Sequence, residues 1–135
     1  MEIKKVVVIG SGTMGSGIAA HLCNANIPVT LLDLKTEISE QARNKIYKSR
    51  PPLLLDKSKI NNIKVGNIKD NFEIVKDADW VVEAVVERID IKHDIYEKIF
   101  KERKKGAIVS SNTSSIPIKV LSEKLTSEEK KDFCI

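Results

Sequence analysis

Hydrophobic positions along the chain fall into short unbroken runs separated by longer stretches in which they recur every three or four residues. Val6-Val7-Val8-Ile9 is four consecutive β-branched residues, a pattern that favours extended backbone and predicts a strand buried on both faces. Ile27 to Leu32 is a second such run. Asn61 to Gly66, with Ile63 and Val65, reads as a short third one. Ala78 to Glu87 is a long apolar run interrupted by acids and predicts a central strand entering a loop. Ala107-Ile108-Val109 is a further buried strand, and Phe133-Cys134-Ile135 looks like the start of another. Between these runs, helical spacing appears over Thr13 to Asn24, then from Thr36 as N-cap with Ile38, Ala42 and Ile46 up to Pro51-Pro52. It recurs from Asp90 as cap with Ile91, Ile95 and Ile99, and over Pro117 to Leu125. Asn71 to Lys76 reads as a brief helix. Strands alternating with helices define an α/β fold: a doubly wound, mainly parallel sheet with helices on both faces.

The first strand stops at Gly10, and Gly10-Ser11-Gly12-Thr13-Met14-Gly15 has the spacing of a dinucleotide-binding turn. The first glycine permits the tight turn, the second lets the backbone approach a pyrophosphate, and the third lets the following helix pack close to the strand. The second strand ends in Asp33, placed to accept hydrogen bonds from an adenosine ribose and to repel a 2′-phosphate, which favours NAD over NADP. Glu87 lies at the carboxyl end of its strand, where ligands of open α/β sheets gather. So do the six small polar residues Ser110 to Ser115. Lys92 opens a helix, where a cation opposes the dipole. His93 beside it reads as solvent-facing, and Trp80 reads as core. The cations Lys45, Lys48 and Arg50 either complement a helix C-terminus or meet a phosphate.

Composition narrows the alternatives. At 135 residues and 41% hydrophobic the chain makes one core. The net charge of +4 comes from basic residues interleaved with acidic ones, and only 4% of residues are aromatic, so there is no stacking platform for nucleic acid. Cys23 and Cys134 form no metal or redox motif. No apolar run reaches membrane-spanning length, and no leader pattern is visible, so the expected location is the cytoplasm.

Val8 to Gly15, Asp33, Val81-Val82-Glu83-Ala84-Val85-Val86-Glu87, Lys92 and Ser111-Asn112-Thr113-Ser114-Ser115-Ile116-Pro117 together resemble the NAD-binding domain of 3-hydroxyacyl-CoA dehydrogenases. Members of that family oxidise an L-3-hydroxyacyl-CoA by hydride transfer to NAD in fatty acid β-oxidation. The resemblance implies that Gly10, Gly12, Thr13, Met14 and Gly15 hold the pyrophosphate and Asp33 the ribose. It implies that Val85, Glu87 and Lys92 lie along the cofactor, with Asn112 shaping the nicotinamide site. Ser114 is similar to the family serine that contacts both nicotinamide and the substrate's 3-oxygen, and Ser49 to a serine that touches coenzyme A. The family's general base is a histidine in a His-Phe-Phe-Asn-Pro segment that these residues do not contain, and neither His21 nor His93 stands at its motif position. By the same resemblance, residues 1–135 form a single Rossmann domain short of its last strands. The helical domain that completes the acyl-CoA site and makes the dimer lies outside them, and a separately encoded partner is one way to supply it. The expectation is a chain that binds NAD but turns over poorly by itself, or alternatively a non-catalytic NAD-binding module or the remnant of a split gene.

Overall fold

The computed structural model describes residues 2–135. Six strands form one parallel sheet: β1 (Val6–Ile9), β2 (Val29–Asp33), β3 (Ile63–Asn67), β4 (Trp80–Glu83), β5 (Ile108–Ser111) and β6 (Phe133–Cys134). Their spatial order is β3-β2-β1-β4-β5-β6. The first three strands grow outward in one direction, and the chain then returns to the centre to build in the other. The carboxyl ends of β1 and β4 therefore flank the switch point where the connections diverge, which is where a crevice opens in such sheets.

The unbroken apolar run of β1 resolves into two faces. Val6 and Val8 pack into one core with Ala19, Ala20, Leu22 and Cys23 of helix α1 (Thr13–Asn24) and Ala42 and Ile46 of helix α2 (Thr36–Lys48). Val7 and Ile9 pack into the other with Ile95, Tyr96 and Ile99 of helix α3 (Ile89–Glu102). Successive strand side chains point to opposite faces, so a strand covered on both sides has no polar position to spare. Helix α4 (Ile118–Leu121) adds Leu121 to the second core, and Phe133 closes it with an edge contact to Tyr96, ring centroids 5.0 Å apart.

Most predicted elements are present with boundaries shifted by a residue or two. The helix expected over Pro117 to Leu125 is shorter: α4 ends at Leu121, and a separate turn of helix, α5 (Ser127–Lys130), begins at the capping box formed by Thr126 and Glu129. The brief helix near residue 71 is a 3-10 segment, Phe72–Asp77. The caps differ as well. Lys35 precedes α2 with Thr36 as its first helical residue, and Arg88 precedes α3 with Asp90 in its first turn. Central strand β4 ends at Glu83, so Ala84 to Arg88 is loop.

Candidate functional site: a groove across the switch point

The turn after β1 is held by sterics that admit only glycine at two positions. Gly10 has φ of +106°, and a Cβ there would sit 2.3 Å from the carbonyl oxygen of Ala84. At Gly15 a Cβ would lie 1.8 Å from the carbonyl oxygen of Gly10, so α1 reaches this close to β1 only because the side chain is missing. Gly12 differs: a Cβ there would meet nothing within 4 Å. The free space at Gly12 is part of a groove of about 490 Å³, lined among others by Gly10, Thr13, Met14, Asp33, Val85 and Ile95. Groove volumes of this order suit a small organic ligand.

Helix α1 begins at this groove with Gly12 as its N-cap, no side-chain cap and no acidic residue in its first turn. Its opening N–H groups thus carry the positive end of the helix dipole toward the groove, the arrangement that receives a phosphate. At the far end, Asp33 Oδ2 accepts from the Ser11 backbone N–H at 2.8 Å and from the Ser11 hydroxyl, and Oδ1 accepts from Leu34 N–H at 2.7 Å. The carboxylate is thereby fixed against the glycine turn, with lone pairs left for a diol. A phosphate cradle, an acid one strand away and an apolar wall from Ile68, Val85, Val86 and Ile91 offer partners for an anionic pyrophosphate, a ribose diol and a flat ring.

A second constellation adjoins the groove through Val85 and Val86. Glu87 Oε2 accepts from the Ser114 backbone N–H at 2.8 Å and its hydroxyl at 3.1 Å, and from Ser115 N–H and Oγ, both at 3.2 Å. Its Oε1 accepts from Thr113 Oγ1 at 2.9 Å and lies 3.1 Å from Lys92 Nζ. The loop after β5 is therefore folded around one carboxylate. The N–H of Ser114, opposed by some desolvation and helped by the Lys92 ammonium, holds the Glu87 carboxyl well below the usual range.

Lys92, the first-turn cation that the helix dipole opposes, is compensated by carboxylates. It is fully buried, and its Nζ lies 2.6 Å from Glu83 Oε2. Glu83, also fully buried, accepts from Val85 N–H at 2.9 Å, Ser111 Oγ at 2.6 Å and the Tyr96 hydroxyl. Burial first, and the neighbouring Glu83 carboxylate second, push the Tyr96 phenol far above its ordinary value. Pattern reading assigns no role to Glu83 or Tyr96 and names Ser111 only among the small polar residues at the end of β5. The available signal was a charged residue inside a β-branched run, which burial permits only when it is paired.

The expected site residues divide by location. Gly10, Gly12, Thr13, Met14, Asp33 and Val85 line the groove, with Gly15 beneath it, and Glu87, Lys92, Asn112 and Ser114 cluster at its end. Asn112 N–H donates to the Glu83 carbonyl at 2.8 Å. Ser49 stands apart at the end of α2, its hydroxyl donating to Pro51 O at 3.1 Å. His93 is a correction: it is buried, and Nε2 donates to Val120 O at 2.9 Å, tying α3 to α4. Trp80 is only partly buried and donates from Nε1 to Ser110 Oγ at 2.8 Å while packing beside the first core. Among the described residues neither histidine lines the groove, since His21 faces another hollow beside Trp80, and no group of three or more metal-ligating side chains occurs.

Sheet order, glycine turn and terminal acid define a Rossmann-type dinucleotide-binding domain. The family model for the NAD-binding domain of 3-hydroxyacyl-CoA dehydrogenase matches residues 5–135, and the chain belongs to that family, whose cofactor is NAD. A Deinococcus radiodurans protein named "Probable 3-hydroxyacyl-CoA dehydrogenase" is 45% identical over 125 residues, covering 87% of this chain and 36% of that protein. Among solved structures, (S)-3-hydroxybutyryl-CoA dehydrogenase PaaH1 from Ralstonia eutropha aligns with a TM-score of 0.74 at 28% identity. FadB2 of M. tuberculosis aligns with a TM-score of 0.84 at 26% identity. Each alignment covers 98% of this chain and 48% of the solved one. The chain thus spans about a third to a half of these relatives' length. Among the described residues no helix is long and apolar enough to cross a membrane.

Proposed function

We propose that this chain is the cofactor-holding half of an NAD-dependent L-3-hydroxyacyl-CoA dehydrogenase acting in the cytoplasm. The reading is carried by one observation: the groove runs without a break from Asp33 past Gly12 to Val85 and Val86, and Glu87 next along the chain holds Ser114 at its end. Bound there, NAD supplies a hydride acceptor for the carbinol carbon of the substrate. The chain's own residues hold the cofactor and shape the nicotinamide end of the site. Gly12 and the start of α1 receive the pyrophosphate, Asp33 takes the ribose diol, and Val85 and Val86 form an apolar wall that excludes water. Glu87, held anionic, keeps the Ser114 backbone and hydroxyl in one orientation, so that the hydroxyl lies at the edge where a substrate oxygen would approach. Asn112, anchored through its backbone to β4, bounds the same edge.

Alcohol oxidation also needs a proton acceptor near neutral pH, and none of the described groove residues is a histidine. Absence of a positioned base costs ~10²–10⁴-fold in rate, and loss of the surface that orients the acyl chain costs more. The proposal is accordingly that the chain binds NAD alone and turns over only when a helical domain bearing the base and the coenzyme A contacts completes it, in the same polypeptide or as a partner, with dimerisation through that domain. Ser49, remote from the groove, is assigned to the coenzyme A side.

Titration of the chain with NADH, followed by nicotinamide fluorescence, tests the first part: saturable binding is expected. Mixing the chain with the helical domain of a family member, NADH and acetoacetyl-CoA tests the second, and NADH consumption is expected only in the mixture. Saturable NADH binding with no consumption in a folded complex would leave a non-catalytic NAD-binding module as the better reading.

A further inference from the structure

Glu83 is fully buried and accepts four hydrogen bonds beside the groove, yet it does not line it. Its Oε1 accepts from Tyr96 and Ser111, and its Oε2 from Lys92 and the backbone of Val85. Two routes lead from this carboxylate to the loop that carries Ser114. One passes through Lys92, whose ammonium lies between Glu83 at 2.6 Å and Glu87 at 3.1 Å, and on to the four hydrogen bonds that Glu87 Oε2 accepts from Ser114 and Ser115. The other is direct: Ser111 is the register partner of Glu83 in β5, its hydroxyl donates to the carboxylate, and Asn112 N–H donates to the Glu83 carbonyl. The bond from Val85 N–H also sets where the chain turns out of β4 toward Glu87. Asp33 takes part in none of these contacts, and the glycine turn meets them only through backbone, where Gly10 abuts Ala84 and Val85.

The geometry points to Glu83 as a positioning residue for the nicotinamide end of the cofactor site, acting through Lys92 and Ser111 on the Glu87–Ser114 contact and leaving the adenosine end untouched. This rests on the dehydrogenase reading above and names a residue that it does not itself require. A neutral isostere is accommodated locally. A glutamine amide can present its oxygen to Lys92 and Val85 and its NH₂ to the Tyr96 and Ser111 hydroxyls, which can accept as well as donate. Glu83→Gln therefore removes the charge while keeping the shape and the hydrogen bonds. The buried Lys92 is then left to draw on Glu87 alone, in competition with the loop.

The test compares NADH with ADP-ribose, which lacks the nicotinamide, by calorimetry on the whole chain. Wild type is expected to bind NADH more tightly than ADP-ribose. In Glu83→Gln the NADH affinity is expected to fall about tenfold, the scale of one charge-assisted hydrogen bond, with ADP-ribose affinity unchanged. Equal losses for both ligands mean a merely structural role and overturn the proposal, as does an unchanged ratio or a wild type that binds the two equally. If wild type binds neither ligand, the dehydrogenase reading itself fails and takes the proposal with it. Should Glu83→Gln not fold, Ser111→Ala and Tyr96→Phe decide: each is expected to lower NADH affinity about threefold at constant ADP-ribose affinity, by removing one donor from the carboxylate. No change in either variant overturns the assignment.

Discussion

Glu87 and Ser114, 27 positions apart in the chain, are joined by two hydrogen bonds into one carboxylate oxygen, from the serine backbone at 2.8 Å and its hydroxyl at 3.1 Å. The pairing bridges the loops leaving neighbouring strands β4 and β5 and fixes the end of the groove. Its strength depends on the charge of Glu87, and that gives it a pH signature.

The Glu87 carboxyl titrates below its ordinary value because of the Ser114 N–H, with Lys92 contributing. A depressed folded-state value stabilises the fold above the unfolded carboxylate range, and that stability is lost as pH falls through the range toward the lower folded value. Thermal melting between pH 7 and pH 3 is expected to fall more steeply for wild type than for Glu87→Gln, so that the two curves converge in acid. Asp79, held down to about 2 by Lys104 and the backbone N–H groups of Lys4 and Lys5, loses stability in the same direction in both proteins and cancels in the comparison. Parallel curves would contradict the role given to the Glu87 charge.

Two glycines of one turn should behave oppositely. Gly15→Ala drives a methyl onto the Gly10 carbonyl, and separating α1 from β1 is expected to cost on the order of 3 kcal/mol or more, as for severe overpacking. Gly12→Ala meets no protein atom and should melt as wild type does, while losing NADH affinity because its methyl occupies the space assigned to the pyrophosphate. Denaturation and NADH titration of both variants check this. Undiminished binding by a folded Gly12→Ala protein would remove the pyrophosphate from that position.

Asp33 should govern the choice between cofactors. Its carboxylate is fixed beside Ser11 at the adenosine end, so Asp33→Ser is expected to raise the NADPH-to-NADH affinity ratio about 10–100-fold by removing charge repulsion against a 2′-phosphate. The ratio comes from competitive fluorescence titration. A ratio that does not move would place the ribose elsewhere.

Lys92 has two carboxylate neighbours, one of them fully buried. Lys92→Met strands Glu83 in the interior, and removing one member of a buried pair costs about 3–5 kcal/mol. Urea denaturation should register a loss of that order. A loss under about 1 kcal/mol, the range of exposed ion pairs, would show that the pair is solvated in solution.

Local pattern determined a good deal by itself. Four β-branched residues before a glycine can hardly be anything but a buried strand ending in a turn, and Gly10, Gly12, Gly15 and Asp33 were legible because each answers a constraint within one βαβ unit. The order of strands and helices was legible for the same reason. What only the tertiary structure decided was the environment of polar residues whose partners lie on other elements. Lys92 reads only as a first-turn cation that the helix dipole opposes, and His93 as a solvent-facing ring, until α3 is laid against β4, which buries the first on Glu83, and against α4, which gives the second a carbonyl. Glu83 reads as an interruption in an apolar run until the register of β4 with β5 sets Ser111 opposite it. Hydrophobic periodicity reports which face of an element is buried. It carries no information about which charge on a neighbouring element will be there to meet a buried one, because that depends on the pairing and register of strands far apart in the chain.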